Sequence, residues 1–161
     1  MRLPALLLLA ALPAAPCGAW TGAVVAVHDG DTLTVQRLDG GGTRRVRVYG
    51  VDCPELGQPG GDAARELTTR LFTGKTVEVI PARARSYRRE VAGVVLLEDM
   101  LVLQEALVSA GLAWVDGRYC RLAVCAHWQR HEADARAARR GLWAEEDPAP
   151  PWQWRRLRRK K

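Results

Sequence analysis

The chain is short of aromatic residues: they make up 6% of 161 residues, and Phe72 is the single phenylalanine. No apolar run is long enough to cross a bilayer. The longest, Leu3 to Leu12, falls well short of the roughly 20 residues a spanning helix needs. No internal repeat is visible, which excludes solenoid and propeller architectures. Cysteine is scarce, with four in all, and acid is missing from the last seven residues. What remains is a valine-rich chain, 48% hydrophobic, of a length suited to one domain with a real core.

The N-terminus reads as a leader. Arg2 precedes the apolar run, then come Pro13, small residues and Cys17-Gly18-Ala19. A charged start, an apolar stretch and a small-residue cleavage site are the marks of a secretory signal. Cleavage after Ala19 is preferred over cleavage after Ala15. The expected division is residues 1–19 as signal, 20–147 as the folded domain and 148–161 as a basic tail rich in proline, tryptophan and arginine. The mature protein is expected to be exported, secreted or periplasmic, a monomer with no stable membrane association once the signal is cleaved.

Export changes the reading of the cysteines. Cys53, Cys120 and Cys125 remain after cleavage, and an oxidising compartment favours a bridge between Cys120 and Cys125 across their short loop. A zinc site from Cys120, Cys125, His127 and His131 competes with it, but the Cys-x4-Cys-x-His spacing is tight for a tetrahedron. Cys53 is then unpaired, and the two histidines are expected simply to face solvent.

The net charge of +6 is mostly peripheral. Removing Arg2 with the leader and the six basic residues from Arg155 onward leaves a body of −1. A basic arm adds non-specific attraction to polyanions, but does not identify a partner. The tail packs its tryptophans on the domain or is wholly mobile; the sequence leaves both open.

Strands lead the chain. Ala23–Val27, Leu33–Leu38 and Arg45–Val51 are valine-rich and partly alternating. Asp39-Gly40-Gly41-Gly42 marks a turn, so the three should form a meander. Asp62 is the expected N-cap of a helix turning Ala63, Leu67 and Leu71 inward and stopping at Gly74. Thr76–Ile80 and Glu90–Leu97 are two further strands. A helix follows through Leu103, Ala106, Leu107 and Ala110, and another runs from about Cys125 to Arg140. The expected fold class is a β-barrel with helices (α+β), a five-stranded Greek-key barrel of the OB type with three α-helices.

Two motifs carry chemistry: Asp29-Gly30-Asp31-Thr32 and Arg47-Val48-Tyr49-Gly50-Val51-Asp52-Cys53-Pro54-Glu55. Asp31 lies just before the second strand and Asp52 just after the third, which in a meander is the same end of the sheet. Neighbouring strands are about 5 Å apart, so the two carboxylates can meet on one cation. All-oxygen ligation suits calcium or magnesium, with calcium more tolerant of a loose site. Glu55 is on the same loop but displaced, where it could hold a water. Arg47 and Arg89 offer planar forks that match a phosphate. Each feature alone has a bland reading as a turn, cap or surface residue; their conjunction is what points to a site.

The stretches VAVHDGDTLTV from Val25, RVRVYGVDCPE from Arg45 and YRREVAGVVL from Tyr87, with LQEALVSAGLAWV from Leu103 and ARAARRGLW from Ala135, resemble the staphylococcal nuclease (thermonuclease) family in order and over nearly the whole chain. The resemblance implies one Ca2+ held by Asp31, Asp52 and the backbone carbonyl of Cys53. It also implies Glu55 as catalytic carboxylate, and Arg47 and Arg89 as phosphate-binding arginines. Tyr87 falls where the family has a tyrosine beside the phosphate. Tyr87-Arg88-Arg89 departs from the family's frequent Tyr-Gly-Arg, leaving Arg88 or Arg89 for the phosphate, with spacing favouring Arg89. Tyr119 and Trp114 are candidates to stack on bases. The function implied is hydrolysis of DNA and RNA with little sequence specificity. The alternatives are a non-catalytic OB-fold module that binds nucleic acid and an envelope adhesion domain.

Overall fold

The computed structural model describes residues 18–86 and 89–159. All but the last two residues of the expected leader therefore lie outside the described residues, as do Tyr87 and Arg88. In chain order the strands are β1 (Trp20–Asp29), β2 (Thr32–Arg37), β3 (Thr43–Val48), β4 (Val51–Asp52), β5 (Thr76–Ser86), β6 (Arg89–Leu96) and β7 (Trp114–Val115). The helices are α1 (Gly61–Phe72), α2 (Leu103–Ser109), α3 (Cys125–Ala137) and α4 (Pro151–Arg158), with a 3-10 turn at Gly141–Ala144.

Five strands close into a barrel in the order β1-β2-β3-β6-β5. The meander β1–β2–β3 is antiparallel, as the turn residues between its strands require. Closure comes from β6, which pairs in parallel with β3, Arg47 lying opposite Val91. Valines alternate inward along the strands, so Val24, Val35, Val46, Val48, Val77, Val79 and Val94 are all but inaccessible to solvent. Leu33, Phe72, Leu103 and Leu107 fill the remaining space. Trp20, Tyr49 and Trp128 join the same core, so aliphatic and aromatic side chains fill it together.

The expected barrel is present, with four α-helices among the described residues rather than three, and several boundaries differ. The third strand was expected to run unbroken to Val51, but β3 stops at Val48. Gly50 adopts φ 77°, a left-handed conformation that ends the strand, and the chain resumes as β4 in a separate two-stranded sheet with β7. The tight corner has a packing reason as well. A Cβ at Gly50 would sit 2.6 Å from Cys120 Sγ and 3.0 Å from the Trp128 ring.

Helix α1 begins at Gly61 after Gly60, not after an Asp62 cap, and Asp62 lies in its first turn where the helix dipole favours an acid. Its buried face is Ala64, Thr68 and Phe72, while Ala63 is exposed and Leu67 and Leu71 are half-buried. The face is turned from the expected one because a polar residue points inward: the Thr68 hydroxyl donates to the Gly30 carbonyl at 2.7 Å. Helix α3 ends at Ala137, three residues early, with Arg139 in the left-handed region at φ 51°. The tail is not wholly mobile. Pro151 sits at the N1 position of α4, where its fixed φ suits a helix start.

Gly50→Ala should be costly, because it combines a left-handed φ with contact against a disulfide sulfur. The loss expected is about 1–3 kcal/mol, read as a fall in the urea midpoint. An unchanged midpoint would show that the corner tolerates a side chain.

Candidate functional site

The turn between β1 and β2 supplies the first carboxylate. Its backbone is held from several sides: Asp31 N–H donates to Asp29 Oδ1 at 3.1 Å, and Val48 N–H donates to the Asp31 carbonyl at 2.8 Å. Gly30 has no room for a side chain, since a Cβ would meet Ala64 Cβ at 2.7 Å and Cys53 Sγ at 2.8 Å. Helix α1 and Cys53 therefore fix the turn from behind. Asp31 Oδ2 accepts the Cys53 backbone N–H at 2.7 Å, and Oδ1 accepts the Thr32 hydroxyl at 3.2 Å. The first acidic motif is thus tied directly to the second.

Asp52 ends β4, and the Gly50 corner turns it back toward Asp31. Both carboxylates are buried, at 4% and 2% exposure, which is affordable only with cations beside them. Arg47 lies between the two. Its guanidinium is paired with Asp31 through Nη1 and with Asp52 Oδ1 through Nη2 at 2.7 Å. Arg47, expected as a phosphate ligand, here holds the two acids together.

A second guanidinium comes from the end of the chain. Arg155 of α4 donates to Asp52 Oδ2 at 2.7 Å and Oδ1 at 3.1 Å, and to Glu55 Oε1 at 2.6 Å. These bonds push its pKa above the ordinary arginine value, the Asp52 bond contributing most. The Glu55 loop is fastened to the same segment: Glu55 N–H donates to Gln58 Oε1 at 3.1 Å, and Gln58 Nε2 donates to the Ala149 carbonyl at 2.6 Å.

These groups line one cleft of about 500 Å³. Its carboxylates are Asp29, Asp31, Asp52, Glu55 and Asp116; its arginines are Arg47, Arg89, Arg155 and Arg159. Arg89 enters from the start of β6, where burial lowers its pKa, seconded by the positive charge of Arg47. It remains a cation at any physiological pH. Asp116 is stripped of water on one side, which raises its pKa. The Arg118 fork outweighs this and holds the carboxyl below its usual range. Cys53 is a free thiol, and its burial pushes the pKa well up, so it stays protonated and unreactive.

The cleft thus brings together Asp31, Asp52, Cys53, Glu55, Arg47, Arg89 and Tyr119. Tyr119 is 67% exposed at its rim. Trp114 is not a stacking platform: it is buried edge-on against Trp143, centroids 5.1 Å apart, and Trp152, 6.4 Å apart. Cys120 and Cys125 are joined by a disulfide outside the cleft. Arg155, Arg159 and Asp116 went unassigned in the sequence. The sequence left the tail either packed through its tryptophans or wholly mobile, and nothing local says where Arg155 reaches.

The donor set fits a hard divalent cation. Carboxylate oxygens of Asp31 and Asp52 converge on shared positive charge, with the Cys53 backbone and Glu55 at the edge of the same cleft. Among these groups the donors are oxygens, the chemistry that calcium and magnesium take.

A family model described as staphylococcal nuclease homologue matches residues 45–145. The chain belongs to the staphylococcal nuclease family. Among its relatives is a protein of Escherichia coli described as an uncharacterized endonuclease, 37% identical over 139 residues, which are 86% of this chain and 87% of that one. A micrococcal nuclease of Shigella flexneri is 34% identical, covering 84% of this chain and 80% of its own length. Staphylococcal-like nuclease CAN1 of Arabidopsis thaliana is 34% identical over 71% of this chain but only 34% of its own. In this nuclease-family chain the family match reaches from β3 past α3, and the arginine of α4 lies beyond it.

Removing Arg47 would leave two buried carboxylates facing each other. Arg47→Ala is expected to cost about 3–5 kcal/mol of stability, measured by denaturant unfolding above pH 6. A loss below about 1 kcal/mol, the value of a surface pair, would mean that Arg155 alone neutralises the site.

Proposed function

We propose that this protein is an exported, calcium-dependent nuclease that hydrolyses phosphodiester bonds of DNA and RNA with little sequence selectivity, acting as a monomer. Family membership makes it a hydrolase of nucleic acids; calcium, export and the roles below are our reading. The observation that carries it is the convergence of Asp31, Asp52 and Glu55 with Arg47 and Arg89 on one cleft.

Asp31, Asp52 and the Cys53 carbonyl would hold the cation. Bound there, it would offset charge on a non-bridging phosphate oxygen and ease attack at phosphorus. Glu55 orients a water and accepts its proton as the oxygen bonds to phosphorus, in line with the departing oxygen. The bond to that departing oxygen breaks, the departing oxygen takes up a proton from solvent, and family precedent leaves a 5′-hydroxyl and a 3′-phosphate. Arg89 donates its fork to the equatorial oxygens, more strongly as their charge builds. Arg47 contributes positive charge while keeping both aspartates in register. Phosphate contacts carry no sequence information, and substrate enters most readily as a single strand or a frayed duplex.

Glu55→Gln should lower turnover by about 10²–10⁴-fold, the usual contribution of a general base, while binding of a short DNA strand changes little. Activity should vanish with chelator and return with calcium. Full cleavage by the variant would end the assignment of Glu55, and cleavage in chelator that of the metal. Binding without any cleavage by the unmodified protein would favour the non-catalytic module.

Arg155 places a positive charge on the oxygens of Asp52 that a cation would share. Arg155→Gln is therefore expected to tighten calcium binding measured by calorimetry without substrate. Weaker binding would instead make Arg155 a clamp that positions the carboxylates.

A further inference from the structure

Away from the cleft, helix α3 carries His127 and His131 one turn apart, and α2 packs against it. His127 faces solvent, as expected from an otherwise charged helix, while His131 is half-buried, and the two imidazoles also meet each other. His127 Nε2 and His131 Nε2 lie 3.0 Å apart. Glu105, from α2, reaches both: its Oε2 is 3.4 Å from His127 Nε2, and its Oε1 is 3.3 Å from His131 Nε2. The rings stand nearly perpendicular, at 86°; Glu105 and His131 are half-buried and His127 is exposed.

We propose that Glu105, His127 and His131 form a second metal site, for zinc or a similar borderline divalent ion, clasping α2 to α3. Ligand atoms about 2.0–2.1 Å from a tetrahedral metal are separated by about 3.3–3.4 Å, close to the spacings here. Hydrogen bonding alone explains the arrangement less well. Two neutral imidazoles meeting Nε2 to Nε2 share one proton, so one of the two nitrogens must face the other and the carboxylate with a lone pair. A cation replaces that proton and accepts a lone pair from each of the three groups.

Two imidazoles and one carboxylate suit zinc, copper or nickel rather than calcium, which takes oxygen. None of the three residues lines the acidic cleft, so the two sites would be loaded by ions of different character. Cys120 and Cys125 bind each other, and Glu105 stands in the ligand place that the cysteines would otherwise have filled. Three protein ligands leave a fourth position for water on the exposed side. The disulfide closes the loop leading into α3, and the metal would secure that helix from its flank.

Zinc chloride titrated calorimetrically into the disulfide-intact protein, with calcium in excess to occupy the acidic cleft, tests this. One zinc per chain is expected, with a low-micromolar or tighter dissociation constant. His127→Ala and His131→Ala should each weaken it by about tenfold or more, and Glu105→Gln should weaken it as well. Zinc should raise the melting temperature of the native protein but not of the double histidine variant, since it binds the packed helices and not the separated ones. Nuclease activity in calcium alone should be unchanged in all four variants. Circular dichroism checks that the variants are folded. Equal zinc affinity in native protein and double histidine variant, or no zinc binding at all, would overturn the site.

Discussion

The guanidinium of Arg47 between Asp31 and Asp52 is the interaction on which the site depends. Two carboxylates buried this deeply repel each other and have lost most of their hydration, so they stay together only around positive charge. Arg47 is supplied by the strand paired with β2, opposite Thr32, and so reaches Asp31 from the neighbouring strand. Asp52 reaches the same point because the chain turns at Gly50. Barrel register, corner and ion pair are three views of one constraint.

A pocket held by arginines is a pocket prepared for another cation. Glu55 and Asp52 share Arg155, and Asp52 and Asp31 share Arg47. The carboxylates are therefore aligned before anything binds, which is how preorganisation lowers the cost of assembling charge at a reacting centre. The price is competition, because each guanidinium occupies oxygens that an ion or a water would also use. Arg89, at the start of β6, adds positive charge from the other side of the barrel seam.

Much of the barrel was legible because valines alternate at period two and the turns carry glycine and aspartate. The acidic motifs were legible for a related reason: strand ends in a meander have fixed neighbours, so Asp31 and Asp52 had to be close. The face of α1 was not, because Thr68 buries a hydroxyl on the Gly30 carbonyl, a partner no periodicity reveals. Nor was the end of β3, where a single left-handed glycine outweighs a run of strand-forming residues. The role of Arg155 was hidden by distance along the chain. A basic residue in a basic tail looks like a solvated charge until the helix carrying it is placed. His127 and His131 were visible as a helical pair, but Glu105, on another helix, gives them their context.

The fastening of the Glu55 loop to the segment before α4 has a consequence for the order of assembly. A chain emerging N-terminus first presents Asp31, Arg47 and Asp52 long before Ala149 and Arg155. Until those arrive, Gln58 lacks the Ala149 carbonyl that it bonds, and Asp52 has one guanidinium instead of two. The cleft is completed only once the segment carrying Ala149 and Arg155 has been made, well after both acidic motifs have emerged.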